Sequence, residues 1–113
     1  MITIDSTSSV LTMIHAYTTT PEHQQTVFDG LVQGLQSYGG RMAGHLSSSI
    51  HKSLDGLRVT SYSQWDPQAS KALFEDPKAL QQSLDWFAPL TKDAVGQDAH
   101  VYGDIYTYTA IKD

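Results

Sequence analysis

Residues 49–66 read SIHKSLDGLRVTSYSQWD and contain the clearest turn signal in the chain. The Asp55-Gly56 pair is typical of a tight turn between antiparallel strands. We therefore expect a hairpin with strands over 44–51 and 57–65 and with Lys52 opposite Leu57. That register gives one face Leu46, Ile50, Leu57, Val59, Ser61, Ser63 and Trp65, and the other face His45, Ser47, Ser49, His51, Arg58, Thr60, Tyr62 and Gln64.

A strand and a helix are predicted before the hairpin. Residues 10–17 are mostly apolar, β-branched or aromatic, which favours a strand covered on both faces. Thr20 then precedes Pro21, a pair that suits a helix N-cap and first helical position. Apolar residues follow at helical spacing until Gly39-Gly40, so we expect a helix with one apolar stripe over this range.

Two helical pieces and a last strand are predicted after the hairpin. Asp66-Pro67 and Asp76-Pro77 each pair a capping side chain with a proline, and Pro89 ends the helical region. Residues 99–111 alternate again between two faces, which predicts a long strand. One of its faces carries His100, Tyr102, Asp104, Tyr106 and Tyr108.

The resulting order β-α-β-β-α-β predicts an α+β, ferredoxin-like sandwich in which helices cover one face of a four-stranded sheet. We expect a flexible N-terminal segment over 1–9 and a single domain over 10–113. If Leu11, Met13 and Tyr17 lie on the other sheet face with the tyrosines of the last strand, that face is too aromatic for water. A homodimer joined through its sheets, a dimeric α+β barrel, would cover it.

Composition excludes several partners. The chain has 113 residues, no cysteine and a formal charge of −5, with seven Lys and Arg spread singly. Nucleic acid is therefore not an expected partner. The chain shows neither a secretory signal nor an apolar run long enough to cross a membrane, so we expect no membrane partner and a cytoplasmic location.

The hairpin resembles that of the antibiotic biosynthesis monooxygenase family, on the His51, Asp55-Gly56 and Tyr62-Ser63-Gln64-Trp65-Asp66 pattern. The order of elements is also similar over roughly residues 10 to 110. The resemblance implies a homodimer with a pocket between sheet and helices. It also implies a monooxygenase that needs no cofactor and acts with molecular oxygen on a polycyclic aromatic, polyketide-type intermediate of secondary metabolism. Ser61 stands where the best-understood members have an asparagine, and this chain has no asparagine.

Cofactor-free oxygenation needs a base, a water-poor cavity and donors for the developing peroxide. His51 is the expected base, because it lies in the matched motif and titrates near neutrality. Trp65 is the expected catalytic partner, as an aromatic wall with an N–H donor. Ser61, Tyr62, Trp86 and Phe87 are the expected substrate contacts. No metal is expected, since no short spacing of ligands fixes a site.

Two other functions are compatible with the same pocket. A redox-neutral polyketide cyclase or isomerase would explain why this chain lacks the asparagine of the family site and also its arginine in the second helix, where only Ser83 or its neighbours stand. A non-catalytic dimer that binds a small aromatic molecule would explain it as well. Both readings keep the fold and differ from oxygenation in whether oxygen is consumed and whether the ligand is converted.

Overall fold

The computed structural model describes residues 2–4 and 9–110. These form β1 Leu11–Thr18, α1 Gln24–Tyr38, β2 His45–Lys52, β3 Arg58–Trp65, α2 Lys71–Glu75, α3 Pro77–Phe87 and β4 Gly96–Tyr102. The strands make one antiparallel sheet in the order β2-β3-β1-β4. The predicted ferredoxin-like α+β order is confirmed. The predicted flexible segment over 1–9 falls mostly on residues outside the described ones.

The hairpin keeps its predicted faces although its register differs from the prediction by two residues. Lys52 lies opposite Val59 instead of Leu57, because six residues, 53–58, connect this pair instead of the four expected. The Asp55 carboxylate accepts hydrogen bonds from the Ser53 hydroxyl at 2.7 Å and the Leu57 N–H at 3.0 Å. These bonds lower the pKa of Asp55. Side chains alternate with a period of two, so a shift of two leaves each residue on its face.

A β-bulge near the start of β2 reverses one part of the predicted hairpin. His45 lies opposite Trp65 while Ser47 lies opposite Gln64, so Leu46 is the extra residue. The bulge places the His45 ring beside Trp65 and leaves Leu46 55% exposed. The hairpin pattern alone predicts His45 on the polar face and Leu46 on the apolar one. Both assignments are wrong, because the strand alternation is interrupted between them.

The central strand β1 faces the helices with its odd-numbered side chains. His15 pairs with Ser61 and Tyr17 with Val59 across the sheet. Tyr17 and Val59 are buried with Val27 and Leu31 of α1, and these four residues form the core. The expectation that Met13 and Tyr17 lie on the uncovered sheet face is therefore wrong. Period-two alternation fixes which residues share a face, but the packing of α1 decides which face it covers.

The last strand is shorter than predicted. β4 begins at Gly96 opposite Thr18 and ends at Tyr102 opposite Thr12, one residue from the start of β1 at Leu11. Residues 103–110 have no strand to pair with in this sheet and form no regular element. Tyr106 and Tyr108 in this segment are 86% and 77% exposed. The rest of the predicted strand, from residue 111, lies outside the described residues.

Two buried glycines let α1 lie close to the chain that follows α3. α1 begins at Gln24, after a turn in which the His23 N–H donates to the Thr20 carbonyl at 3.0 Å. A Cβ at Gly30 would lie 1.8 Å from the Leu90 carbonyl oxygen, and one at Gly34 would lie 2.3 Å from the Phe87 ring. A side chain at either position would require its neighbour to move, and the two glycines thus let Phe87 lie against α1.

Candidate active site

A cavity of about 370 Å³ lies between the sheet and the helices. Pockets that hold small organic ligands measure roughly 300–1,000 Å³. Most of its polar lining comes from the strands, namely His15, Tyr17, His45, Ser48, Ser61 and Ser63. The helices contribute Leu31, Leu35, Leu73, Phe74, Leu80, Leu84 and Phe87, with Ser83 as their polar residue. Apolar walls with a few placed polar groups suit a flat aromatic ligand.

Trp65 forms a fixed wall of this cavity. Its side chain is only 2% exposed and contacts the Phe74 ring, with 5.2 Å between ring centroids. The indole N–H donates to the Ser63 hydroxyl oxygen at 2.9 Å, and Ser63 donates in turn to the Met13 carbonyl. Because this N–H already has a partner in the sheet, Trp65 offers a ligand its ring and not its donor.

His45 is held by hydrogen bonds at both ring nitrogens. Nδ1 lies 3.1 Å from the Gly39 carbonyl oxygen, which only accepts, so Nδ1 carries the proton. Nε2 then accepts from the Ser48 hydroxyl at 2.6 Å. Burial lowers the pKa of His45, so the ring stays neutral at neutral pH. Both nitrogens are occupied, and His45 therefore supports the Trp65 wall instead of receiving protons.

His15 has one ring nitrogen free of any in-plane partner. Nε2 lies 2.8 Å from the Gln97 side-chain oxygen, which accepts, so Nε2 carries the proton and Nδ1 the lone pair. The imidazole stacks on Tyr17 with centroids 4.2 Å apart and an interplanar angle of 13°. The Tyr17 hydroxyl is 3.4 Å from Nδ1, but in parallel rings it lies over the imidazole face. Burial lowers the pKa of His15, which keeps Nδ1 unprotonated at neutral pH.

Ser61 brings a hydroxyl next to this histidine. Ser61 and His15 are direct partners across β3 and β1, and both line the cavity. Directly opposed residues on one sheet face have Cβ atoms about 4.5–5.5 Å apart. A ligand oxygen in the cavity can therefore contact the His15 ring and the Ser61 hydroxyl together.

Two of the sequence-predicted site residues lie on the far side of the sheet. His51 pairs with Thr60, and Tyr62 lies between Ile14 and Ser49, all on the face turned away from the cavity. His51 is exposed, and its Nε2 contacts the Ser49 hydroxyl at 2.8 Å. The structure therefore separates His51 from Trp65, as the predicted hairpin faces required.

The two predicted aromatic contacts of α3 have different surroundings. Phe87 lines the cavity and packs against the core. Trp86 stacks on Tyr38 of α1, with centroids 5.1 Å apart and an interplanar angle of 8°, and it does not line the cavity. Of the predicted residues, the structure thus brings Ser61, Trp65 and Phe87 together.

Sequence reasoning missed His15 and His45 as cavity residues. A signal for His15 was present, since it alternates with Met13 and Tyr17 on one face of β1. No comparable signal existed for His45, because the bulge at Leu46 moves it to the other face. Within residues 2–4 and 9–110, no group of three His, Asp or Glu side chains is placed to hold a metal ion. None of the helices described there is long and apolar enough to cross a bilayer.

Comparison with known proteins identifies a relative of this chain. No protein-family model matches it. The tetracenomycin F1 monooxygenase of Streptomyces glaucescens is 33% identical over 87 residues, which cover 76% of this chain and 77% of that protein. The chain belongs to the antibiotic biosynthesis monooxygenase family. Its cavity, with an aromatic wall and a single open histidine nitrogen, is therefore the candidate active site of a family member.

Solved structures share the fold of this family member. The ActVA-Orf6 monooxygenase of Streptomyces coelicolor, in complex with nanaomycin D, has a TM-score of 0.65 at 20% identity and covers 91% of this chain and 93% of its own. SnoaB of Streptomyces nogalater, a cofactor-independent oxygenase, has a TM-score of 0.58 at 12% identity, and the match covers 88% of this chain and 97% of SnoaB. At these identities the likeness concerns the fold.

Proposed function

We propose that this chain is a monooxygenase that uses no cofactor and inserts oxygen from O₂ into a polycyclic aromatic, polyketide-type substrate. The observation that carries the proposal is the His15 ring in an apolar cavity, with Nδ1 unprotonated and contacted only by the Tyr17 hydroxyl over the ring face. The names of the similar proteins support the reaction class, since they include a tetracenomycin F1 monooxygenase and a cofactor-independent oxygenase.

The chemistry begins with removal of a proton from the substrate. His15 Nδ1 takes a proton from an activated CH₂ group between aromatic rings, as in an anthrone, and leaves an electron-rich enolate. The low polarity of the cavity favours electron transfer from this enolate to O₂, and a C–O bond forms to give a peroxide anion. The His15 imidazolium returns its proton to that anion, which yields a hydroperoxide.

Loss of water completes the reaction. The base accepts the second proton from the same carbon, the O–O bond breaks, and the departing hydroxide takes that proton to become water. The net change converts CH₂ and O₂ into C=O and H₂O, with four electrons passing from carbon to oxygen. The Ser61 hydroxyl, beside His15, donates to the substrate oxygen that carries charge in the enolate. Trp65 and Phe87, which both line the cavity, contact the planar rings.

Oxygen uptake tests the proposal. We expect purified protein to consume O₂ with an anthrone in the presence of a metal chelator and without added flavin. His15→Phe keeps an aromatic ring on Tyr17 but removes the base, so kcat/KM should fall by about 100-fold or more. His51→Ala is the matched control, because that histidine lies across the sheet and its loss should leave the rate unchanged.

Other outcomes would reject the proposal. An unchanged rate in His15→Phe would remove His15 from the reaction, and a loss of activity in a His51→Ala variant that is still dimeric would return the role of base to His51. Conversion of substrate under strictly anaerobic conditions would indicate the cyclase or isomerase. Tight binding of several aromatic substrates without any product would indicate the non-catalytic binder.

We also propose that the active form is a homodimer. The helices cover one sheet face, while the opposite face presents Ile14, Tyr62, His100 and Tyr102. Residues 103–110 continue the chain beyond β4 without pairing with another strand, and they expose two tyrosines. A second copy placed on this face buries these side chains and gives the segment a strand to pair with. Light scattering should give twice the 12.5 kDa chain mass, and Tyr62→Glu should shift the protein toward the monomer.

A further inference from the structure

Gln97 reaches His15 from the edge strand of the sheet. Gln97 lies on β4 directly opposite Tyr17, so its side chain stands on the cavity face of the sheet. Its carbonyl oxygen lies 2.8 Å from His15 Nε2, a full hydrogen bond between side chains of two adjacent strands. The bond joins the candidate base to a residue that does not itself line the cavity.

We propose that Gln97 is a positioning residue that orients His15 and supports the positive charge it gains on taking a proton. This inference rests on the proposed function, since it assumes that His15 is the base. An amide oxygen accepts from Nε2–H in both charge states of the ring, and the bond strengthens when the ring becomes cationic. Gln97 thus keeps the proton on Nε2, turns Nδ1 away from β4 and stabilises the imidazolium.

The surroundings of His15 leave this role to few other groups. Within residues 2–4 and 9–110, the titratable groups near it are Tyr17 on its own strand, Asp98 on β4 and His45 on β2, while the helices add apolar residues and Ser83 to the cavity. Tyr17 contacts the face of the imidazole, and His45 is bonded at both nitrogens. Asp98 lies on the other sheet face, where its carboxylate is 3.0 Å from His100. Gln97 is therefore the in-plane partner of the His15 ring.

Two substitutions at Gln97 should move the basicity of His15 in opposite directions. Gln97→Leu removes the acceptor and should lower the His15 pKa, while Gln97→Glu sets a carboxylate beside Nε2–H and should raise it by about one unit. The base must be unprotonated, so activity is lost as the pH falls through this pKa. The acid limb of the profile of kcat/KM against pH should therefore move to lower pH in Gln97→Leu and to higher pH in Gln97→Glu.

The experiment measures the His15 titration by NMR in the ligand-free protein and the pH profile of oxygen uptake with an anthrone. We expect the NMR pKa of His15 and the pKa of the acid limb both to be lowest in Gln97→Leu, intermediate in the parent and highest in Gln97→Glu. We also expect kcat/KM at pH 8 to fall about tenfold in Gln97→Leu and to recover in Gln97→Glu. Gln36→Glu, on the exposed side of α1, adds the same charge away from the cavity and should shift neither. Unfolding midpoints of all variants show that the fold is retained.

Each failure has its own meaning. If the NMR pKa of His15 is the same in all three proteins, Gln97 does not act on the ring and the inference is overturned. If the NMR pKa moves but the acid limb stays, the role of Gln97 in the reaction is overturned. The His15→Phe variant separates this failure from failure of the proposed function. If that variant is inactive, His15 remains the base and only the role of Gln97 is rejected. If it is active, the roles of both His15 and Gln97 are rejected.

Discussion

Replacing Gly34 by alanine should reshape the cavity while leaving the fold intact. The new Cβ would lie 2.3 Å from Cε1 and 2.5 Å from Cδ1 of the Phe87 ring. Carbon atoms in contact sit about 3.5–4.0 Å apart, so the ring must retreat by roughly 1 Å or more. Phe87 lines the cavity, and the direction open to its ring is away from α1, into the space that a ligand occupies.

The effect on stability is small because two terms oppose each other. Alanine is better than glycine inside a helix by about 1 kcal/mol. A ring pushed off its preferred rotamer costs about 0.5–1.5 kcal/mol. The free energy of unfolding should thus change by less than about 1 kcal/mol. A ligand that fills the cavity meets overpacking of about 1–3 kcal/mol, which weakens its binding roughly 5- to 150-fold.

Gly30→Ala is the matched control on the same helix. Its Cβ would lie 1.8 Å from the Leu90 carbonyl oxygen, which is backbone and cannot rotate away. We expect this variant to lose at least about 2 kcal/mol in urea unfolding despite the same gain in helix propensity. Affinity for tricyclic and tetracyclic aromatics should then be measured for Gly34→Ala by titration. Equal affinity of Gly34→Ala and the parent for the wider ligand, or wild-type stability of Gly30→Ala, would refute the described packing of α1.

Three further predictions concern stability and pH. Burial raises the pKa of Tyr17 to about 12, whereas tyrosine in the unfolded chain has a pKa near 10. Between about pH 10 and 12 the unfolded chain loses this proton and the folded protein keeps it, so the free energy of unfolding should fall by about 2–3 kcal/mol over this range. Urea titrations should show a smaller dependence of stability on pH in Tyr17→Phe. Asp76→Ala removes the acceptor of the Lys78 N–H, a cap of α3, and should lower the unfolding free energy by about 0.5–2 kcal/mol; an unchanged melting temperature would contradict the cap. Trp65→Phe removes the N–H that donates to the Ser63 hydroxyl and should lower the free energy of unfolding by about 1–3 kcal/mol. We expect kcat/KM to fall less in Trp65→Phe than in His15→Phe. A larger fall in Trp65→Phe would give the indole N–H a role in the reaction.

The sequence allowed the element order and most side-chain faces to be predicted, because local rules govern them. Asp55-Gly56 marked the hairpin, and Asp76 marked the start of α3. The connection between the paired strand residues is two residues longer than expected, yet the predicted faces are kept, since a two-residue shift preserves alternation. The separation of His51 from Trp65 was thus already implied by the hairpin pattern.

The remaining features depend on interactions that no local pattern records. The face of β1 that meets α1 is set by packing between residues far apart in the chain, such as Tyr17 with Val27. The bulge at Leu46 has no composition signal, so His45 could not be placed beside Trp65. The end of β4 is fixed by the length of its neighbour and not by its own alternation. Of these three features, the face of β1 moved the candidate base to His15.

The division of the cavity lining between sheet and helices affects how such a protein can change over evolution. The groups that handle protons stand on adjacent strands, where pairing holds His15 and Ser61 in fixed relation. The groups that set the shape of the cavity stand mainly on the helices, and no residue of α3 is fully buried. Substitutions on α3 can therefore accumulate at low cost to the fold and admit new ring systems, while the reaction itself is inherited unchanged.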